Sequence, residues 1–254
     1  MIIIIIKEIL ENMDNKIYRV KILDIKDEYK NVKTYTLEKP EGLSWDEGSS
    51  FHLAIPGFNE GGEVNKKLVH HLSINTLADE DTVSFTTKFS IRKSDFKKAL
   101  AAKKVGDYLE FFKIKCHMKL RREGRPLVLL SMGIGLTTMR PLINKFKKNP
   151  TGIPELVSIN VNRKDNHLFE AEISSIDNAL FKQVWVESRR DFFEMVKEME
   201  VRNGIFYVVG SNEFLLDCIY SLRKLGVADE DIMIDLKEKK RELMFKAAEN
   251  HIFL

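Results

Sequence analysis

The spacing of apolar residues changes once along the chain, and that change limits the possible folds more than any other feature. Through the first 114 residues the pattern is one of short strands. Segments 18–25, 32–38, 51–55, 68–74, 82–89 and 108–114 alternate apolar and polar residues or nearly so. Pro40, Gly42, Gly48, Pro56-Gly57 and Gly61-Gly62 punctuate them, and one short helix, 94–102, interrupts. Many short strands around a single helix predict a small antiparallel barrel. Beyond Glu123-Gly124-Arg125-Pro126, strands and helices alternate. The strand 127–131 is continuously apolar up to Ser131, as expected for a central parallel strand. Further strands are expected at 156–161, 184–186, 205–209 and 232–236, and helices at 138–147, 191–199 and 212–225. In the last of these, Asn212 is the expected cap, Leu215, Ile219 and Leu222 share a face, and Gly226 ends the helix. This second pattern predicts an open parallel α/β sheet.

Composition removes other classes. The 254 residues are 44% apolar and 31% charged, with 16 Phe, the mix of a folded globular chain. A net charge of +3 is too small to argue for nucleic acid. Cys116 and Cys218 are the two cysteines, so neither a disulfide framework nor a four-thiolate iron–sulfur or zinc site fits within the chain. A cytoplasmic protein is expected. The apolar opening, Met1 to Ile6, ends at Lys7-Glu8. It is too short to cross a bilayer and reads as a terminal strand or helix, not a targeting signal.

The chemistry-bearing residues cluster at strand ends. Ser131-Met132-Gly133-Ile134-Gly135-Leu136-Thr137-Thr138 follows the 127–131 strand. Two glycines there permit a tight turn, and the helix behind it offers free N–H groups to an anion. The turn lacks the third glycine of the dinucleotide fingerprint and the lysine of a phosphate loop, so a plain tight turn is the alternative. Val209-Gly210-Ser211-Asn212 repeats the strand–glycine–helix order. Ser188-Arg189-Arg190 places a hydroxyl and guanidinium where a phosphate could be received, or else forms a solvated turn. In the first half, His70-His71-Leu72-Ser73 lies on a strand, His71 and Ser73 on one face, His70 and Leu72 on the other. Two adjacent histidines diverge too far to share a metal, and no metal is expected. Ser94 can cap its helix or meet a phosphate. Residues 113–125 hold six Lys or Arg against Glu123, without the aromatic interleaving of a single-strand nucleic-acid site.

In their order these pieces resemble the ferredoxin–NADP reductase superfamily, over about residues 15–236. The glycine turn Gly133-Ile-Gly135-Leu-Thr-Thr138 is similar to that family's Gly-x-Gly-x-x-Pro, with Thr138 for proline. Val209-Gly210-Ser211, Leu225-Gly-Val227 and Ile232-Met-Ile-Asp235 resemble its closing motifs, without the usual Cys and Pro. Asn162-Arg163 and Phe169 to Glu172 resemble its strand-end arginine and Phe-x-x-Glu. His70-His71-Leu72-Ser73 stands where the family has Arg-x-Tyr-Ser/Thr, Ile91 to Ser94 where it has Gly-x-x-Ser, and Gly48 to Phe51 where it approaches the flavin.

The resemblance implies a two-domain protein. Residues 1–14 would be an N-terminal extension, 15–123 a six-stranded antiparallel flavin-binding β-barrel, 124–236 a nicotinamide-binding α/β domain with an open parallel sheet, and 237–254 a helical tail. It implies FAD before FMN, and NADPH or NADH. Ser73, Thr138 and Gly210 would lie at the hydride-transfer site. His70, His71, Leu72, Ser73 and Ser94 would surround the flavin. Gly133, Gly135, Thr137, Thr138, Arg163, Ser188, Arg189, Gly210 and Ser211 would surround the nicotinamide nucleotide, with Ser188-Arg189 favouring NADPH. Leu72 replaces a flavin-stacking tyrosine; the apolar end His251 to Leu254 is expected either to place Phe253 in that vacancy or to pack simply against the second domain. Leu243, Met244 and Ala247 are expected to form the tail helix's apolar face. The implied activity is a flavoprotein reductase passing electrons to ferredoxin, flavodoxin, an oxygenase component or a ferric chelate, with a partner subunit possible and no nucleic-acid or membrane partner. The alternatives are an electron-transfer subunit of a larger complex and a non-catalytic binding protein with a weakened flavin site.

Overall fold

The computed structural model describes residues 16–91, 94–200, 203–249 and 251. The apolar opening Met1 to Ile6 and Phe253 lie outside them. The chain divides into two compact units, residues 1–116 and 117–254.

The first unit is a six-stranded antiparallel sheet. Its strands are β1 (Tyr18–Tyr29), β2 (Val32–Glu38), β3 (Ser49–Ala54), β4 (Val69–Ser73), β5 (Thr82–Lys88) and β6 (Tyr108–Cys116), in the order β4-β3-β6-β1-β2-β5. The segment after β4 joins the two edges: Asn75 N donates to Ser84 O at 2.9 Å, and Asn75 Nδ2 to Thr86 Oγ1 at 2.9 Å. Alternation places Tyr35, Phe51, Phe85 and Phe111 inside, where Tyr35 and Phe85 stack at 5.1 Å and Phe51 and Phe111 at 5.3 Å. β1 runs four residues further than its apolar pattern predicts. Lys26 to Asp27 still pair with β2, helped by the Lys33–Asp27 ion pair, until Asn31 turns the hairpin with φ +65°. β6 carries a bulge opposite Ser50–His52, where Lys113 takes φ +53°. Helix α1 (Asp95–Ala101) is capped by Ser94 and buries Phe96 and Leu100.

The second unit is a five-stranded parallel sheet: β7 (Leu127–Met132), β8 (Leu156–Val161), β9 (Phe181–Val186), β10 (Ile205–Val209) and β11 (Ile232–Ile234), in the order β11-β10-β7-β8-β9. Its helices are α2 (Leu136–Lys148), α3 (Glu170–Ser174), α4 (Arg189–Lys197), α5 (Asn212–Lys224) and α6 (Glu238–Glu249). β7 lies at the centre and is buried along its length up to Ser131, which is why its sequence does not alternate. Val128, Leu130, Val157, Ile159, Phe206 and Val208 share one core with Phe192, Phe193 and Val196 of α4, Phe214 to Leu222 of α5, and Phe245 and Ala248 of α6. Those three helices therefore cover the same side of the sheet.

Three helix expectations need correction. The cap of α5 is Ser211, whose Oγ accepts from Phe214 N, not Asn212. α4 begins two residues earlier than expected because Ser188 Oγ caps it through Asp191 N. In α6 the packed residues are Phe245 and Ala248, with Arg241 and the expected Met244 partly buried beside them; of the other expected residues, Leu243 is 61% exposed and Ala247 is exposed.

Candidate functional site

In an open parallel sheet the ligand crevice lies outside the carboxyl ends of the strands, where successive connections leave in opposite directions. Here that point lies between β7 and β10, since the chain runs from β7 toward β8 and β9, then returns to β10 and β11. The turns after both strands meet there. Gly135 packs so closely on the end of β10 that an added Cβ would stand 2.5 Å from Val209 O. At Gly210 the same carbon would stand 2.4 Å from Cδ1 of Phe214. Gly133 is required differently, by φ +56° in open space. These glycines hold two backbone turns side by side, and the 13-residue helix α2 starts directly behind the first.

The hydroxyls predicted here are turned into the protein. Thr137 Oγ1 donates to Ile134 O at 2.8 Å, and Thr138 is 1% exposed. Ser211 Oγ caps α5. The backbone, not these side chains, forms the surface of the crevice. Arg163, at the end of β8, is exposed, and among the described residues no carboxylate pairs with it.

Beneath the Gly133 turn lies a buried polar chain that sequence reading missed. Asn160 Nδ2 donates to Ser131 Oγ at 2.9 Å and reaches Gly133 O at 3.4 Å, and Asn160 Oδ1 meets His167 Nδ1 at 2.9 Å. Burial holds His167 below its ordinary pKa, against the opposing pull of Glu170 and Glu187. The legible signal was an asparagine inside the mostly apolar strand β8. Nearby, Arg140 binds Glu172 through two nitrogens at 2.9 and 2.8 Å, and Asn144 adds a third bond at 3.0 Å. Burial raises the Glu172 pKa, but these bonds outweigh it and leave the carboxyl below its ordinary value. The Phe-x-x-Glu glutamate thus clasps α3 to α2.

Ser188 and Arg189 do not present a free phosphate receptor. Ser188 Oγ accepts from Asp191 N. The Arg189 guanidinium binds Glu213 Oε1 at 2.9 Å through one nitrogen and Asp217 Oδ2 through another. Asp217 is 5% exposed, and its other oxygen meets His251 Nε2 at 2.5 Å.

In the barrel, β4 pairs with β3 so that Leu72 opposes Phe51 and His70 opposes Leu53, while Ser73 opposes Ser50 and His71 opposes His52. The predicted two faces are present. Leu72 packs on the barrel core. His71 Nε2 lies 2.8 Å from Ser50 Oγ. His70 is exposed overall, yet its ring stacks on Phe96 at 5.2 Å. Desolvation on that contact, then the Lys97 and His71 charges, lower its pKa to about 4. It is therefore neutral at neutral pH and does not replace an arginine's charge. Lys97 does carry one there. It reaches from α1 to Thr87 Oγ1 and lies 5.5 Å from the Phe89 ring, and no described carboxylate pairs with it. Burial brings its pKa down to about 8. A half-buried ammonium lacking an anion fits a flavin phosphate. Ser94 is already engaged, its Oγ accepting from Lys97 N at 3.3 Å.

In the basic run 113–125 the three lysines are exposed and the three arginines are engaged within the protein. Arg121 pairs with Glu123 at 2.7 Å, Arg122 donates to Asn149 O and Thr151 O, and Arg125 holds Asp231 at 2.6 Å. These are internal staples. The tail helix α6 packs on α5, where the Arg223 and Arg241 guanidiniums lie over the Phe245 ring at 5.6 and 4.6 Å. Among the described residues no cluster of three His, Cys, Asp or Glu could hold a metal, and no helix is long and apolar enough to cross a membrane.

No family model matches the chain. The flavohemoprotein of Vibrio cholerae is 27% identical over 134 residues, covering 49% of this chain and 34% of that protein, so the chain spans about a third of this relative. Among solved structures, the ferredoxin NADP+ reductase of Neisseria gonorrhoeae, with bound FAD and NADP, superposes with a TM-score of 0.75 at 17% identity, covering 87% of this chain and 98% of its own. The flavohemoglobin of Malassezia yamatoensis, with bound FAD and heme, gives 0.74 at 15% identity over 90% of this chain and 62% of its own. The flavohem-like FAD/NAD-binding domain of the Vibrio cholerae nitric oxide dioxygenase gives 0.69 at 19% identity, over 88% and 99%. Six antiparallel strands followed by a five-stranded parallel sheet thus share the two-domain fold of the gonococcal ferredoxin NADP+ reductase and of the flavohem-like FAD/NAD-binding domain.

Proposed function

We propose that the chain is a flavoprotein reductase that takes hydride from a nicotinamide nucleotide and passes electrons to a protein or small-molecule acceptor. The observation that carries this is the pair of close-packed glycine turns, Gly135 against Val209 and Gly210 against Phe214, at the switch point of a sheet that follows a six-stranded barrel. The FAD and NADP of the gonococcal reductase and the FAD of the flavohemoglobin support the cofactor pair, FAD ahead of FMN.

Each residue has a task that follows from its position. The N–H groups of the Gly133–Gly135 turn and the start of α2 bind the nucleotide's pyrophosphate, with the Arg163 guanidinium adding a charge-assisted contact. The Asn160–Ser131–His167 chain holds that turn in place from below. Gly210, bare of a side chain, lets the Phe214 ring close on the turn and so shapes the nicotinamide slot. In the barrel, Lys97 neutralises flavin phosphate and Ser73 orients the ring by hydrogen bonding. The flavin, when bound, supplies the hydride-accepting and electron-releasing chemistry, and the protein's part is to position it and exclude water.

The acceptor belongs to the class that includes ferredoxin, flavodoxin, oxygenase components and ferric chelates. A second reading, a binding protein that has lost its flavin, rests on Leu72, which packs on the barrel core where the family places a stacking tyrosine. Reconstitution with excess FAD, gel filtration, and chromatography of the extracted cofactor separate the two. The reductase reading expects close to one FAD per chain. Recovery of no flavin favours the second.

A further inference from the structure

We propose that the protein selects the unphosphorylated nicotinamide nucleotide, NADH, and that Glu213 and Asp217 make this selection by occupying Arg189. The inference rests on the nucleotide site proposed above and names which nucleotide that site takes.

A dinucleotide whose pyrophosphate sits at the Gly133 turn extends one nucleoside over β10 and the other over β8 and β9. The adenosine ribose therefore falls on the side where α4 begins. There, an arginine accommodates a 2′-phosphate and a carboxylate accepts from a 2′-hydroxyl. Arg189 is the first residue of α4, and Glu213 and Asp217 lie on α5, which covers the same side of the sheet. A cleft of about 340 Å³ is lined by these three residues together with Arg190, Phe193, Glu194 and Lys197. Both arms of the Arg189 fork are spent: one on Glu213, one on Asp217. Asp217 is nearly buried, and His251 closes on its other oxygen. Seating a dianionic phosphate on Arg189 would break two charge-assisted bonds. It would strip Asp217 of its strongest partner and set the phosphate against two carboxylates. A ribose hydroxyl demands none of this. Glu213, 67% exposed at its side chain, can accept from it through Oε2 while Oε1 keeps Arg189. The expectation from Ser188-Arg189 alone, a preference for NADPH, is thereby reversed.

The test uses ADP-ribose and its 2′-phosphate, which bind without any redox step, titrated calorimetrically into the full chain. The wild type is expected to bind ADP-ribose at least about tenfold more tightly. Glu213→Gln, a surface change that keeps the side chain's shape, is expected to close the gap by about tenfold, chiefly by tightening the phosphorylated form. Arg189→Ala in the wild-type background is expected to leave the phosphorylated form no weaker than threefold. Equal or tighter binding of the 2′-phosphate form by the wild type overturns the inference while leaving the nucleotide site standing, as does an unchanged ratio in Glu213→Gln. Failure of both nucleotides to bind overturns the inference and the nucleotide site together.

Discussion

The two units carry their candidate sites in different materials. In the α/β unit the site is backbone. Gly135 and Gly210 lie where one extra carbon would strike Val209 O or the Phe214 ring, and the nearby hydroxyls of Thr137 and Ser211 bond to the protein's own main chain. In the barrel the candidate site is made of side chains. His70 is a neutral ring on Phe96, Leu72 belongs to the core, and the positive charge comes from Lys97 on another element. A backbone site admits few substitutions, because each one moves main chain. A side-chain site can be rebuilt from any residue whose charge reaches the same place. The first kind of site therefore leaves a mark in the sequence, and the second does not.

The sharpest way to break this contrast is to add the missing carbon. Gly135→Ala is expected to cost roughly 2–3 kcal/mol in urea unfolding, because its Cβ meets main chain that moves only with β10. Gly133→Ala, with nothing near its Cβ, is expected to cost only about 1 kcal/mol for its left-handed backbone. Equal costs at the two positions would mean that close packing does not define the turn.

In the barrel the corresponding change is Lys97→Met. It keeps the aliphatic stem and is expected to weaken FAD binding by about tenfold or more, by loss of one charge-assisted contact, without lowering barrel stability. The pH dependence sharpens this. Lys97 has its pKa lowered to about 8 by burial, and an anion beside it raises that value. The complex therefore binds more protons than the free protein, so wild-type FAD affinity falls as pH rises through about 8. Lys97→Met is expected to show no such fall, measured by flavin fluorescence quenching.

The smallest effect belongs to the support beneath the turn. His167→Ala removes the bond to Asn160 and is expected to cost about 1 kcal/mol. The His167 pKa is lowered from 6.5 in the fold, so its neutral form contributes stability above pH 6.5 that is lost as pH falls. The difference in unfolding free energy between wild type and variant is expected to shrink below that pH.

The same division explains what could be read from the chain. β2, β8 and β10 begin and end where the apolar pattern stops, because their burial is set by neighbours of the same sheet. β1 outran its pattern through a polar hairpin held by cross-strand pairing, and the five-residue α3 is too short for periodicity to reveal. At the site, the glycine turns were legible because glycine marks a backbone demand. Lys97 was not, since its role exists only when α1 folds back over Thr87 and His70. Nor was the state of Arg189, whose partners lie 24 and 28 residues away along the chain. A Ser-Arg pair looks the same in sequence whether its guanidinium is open or occupied.

The central proposal is that a flavin held by this chain is reduced by a nicotinamide nucleotide. Anaerobic titration of the FAD-reconstituted protein with NADH, followed at the flavin absorbance band, tests it most directly. The account predicts bleaching complete near one NADH per bound flavin, with a slower response to NADPH. A protein that binds FAD but whose band is unchanged by excess NADH and NADPH alike would contradict it.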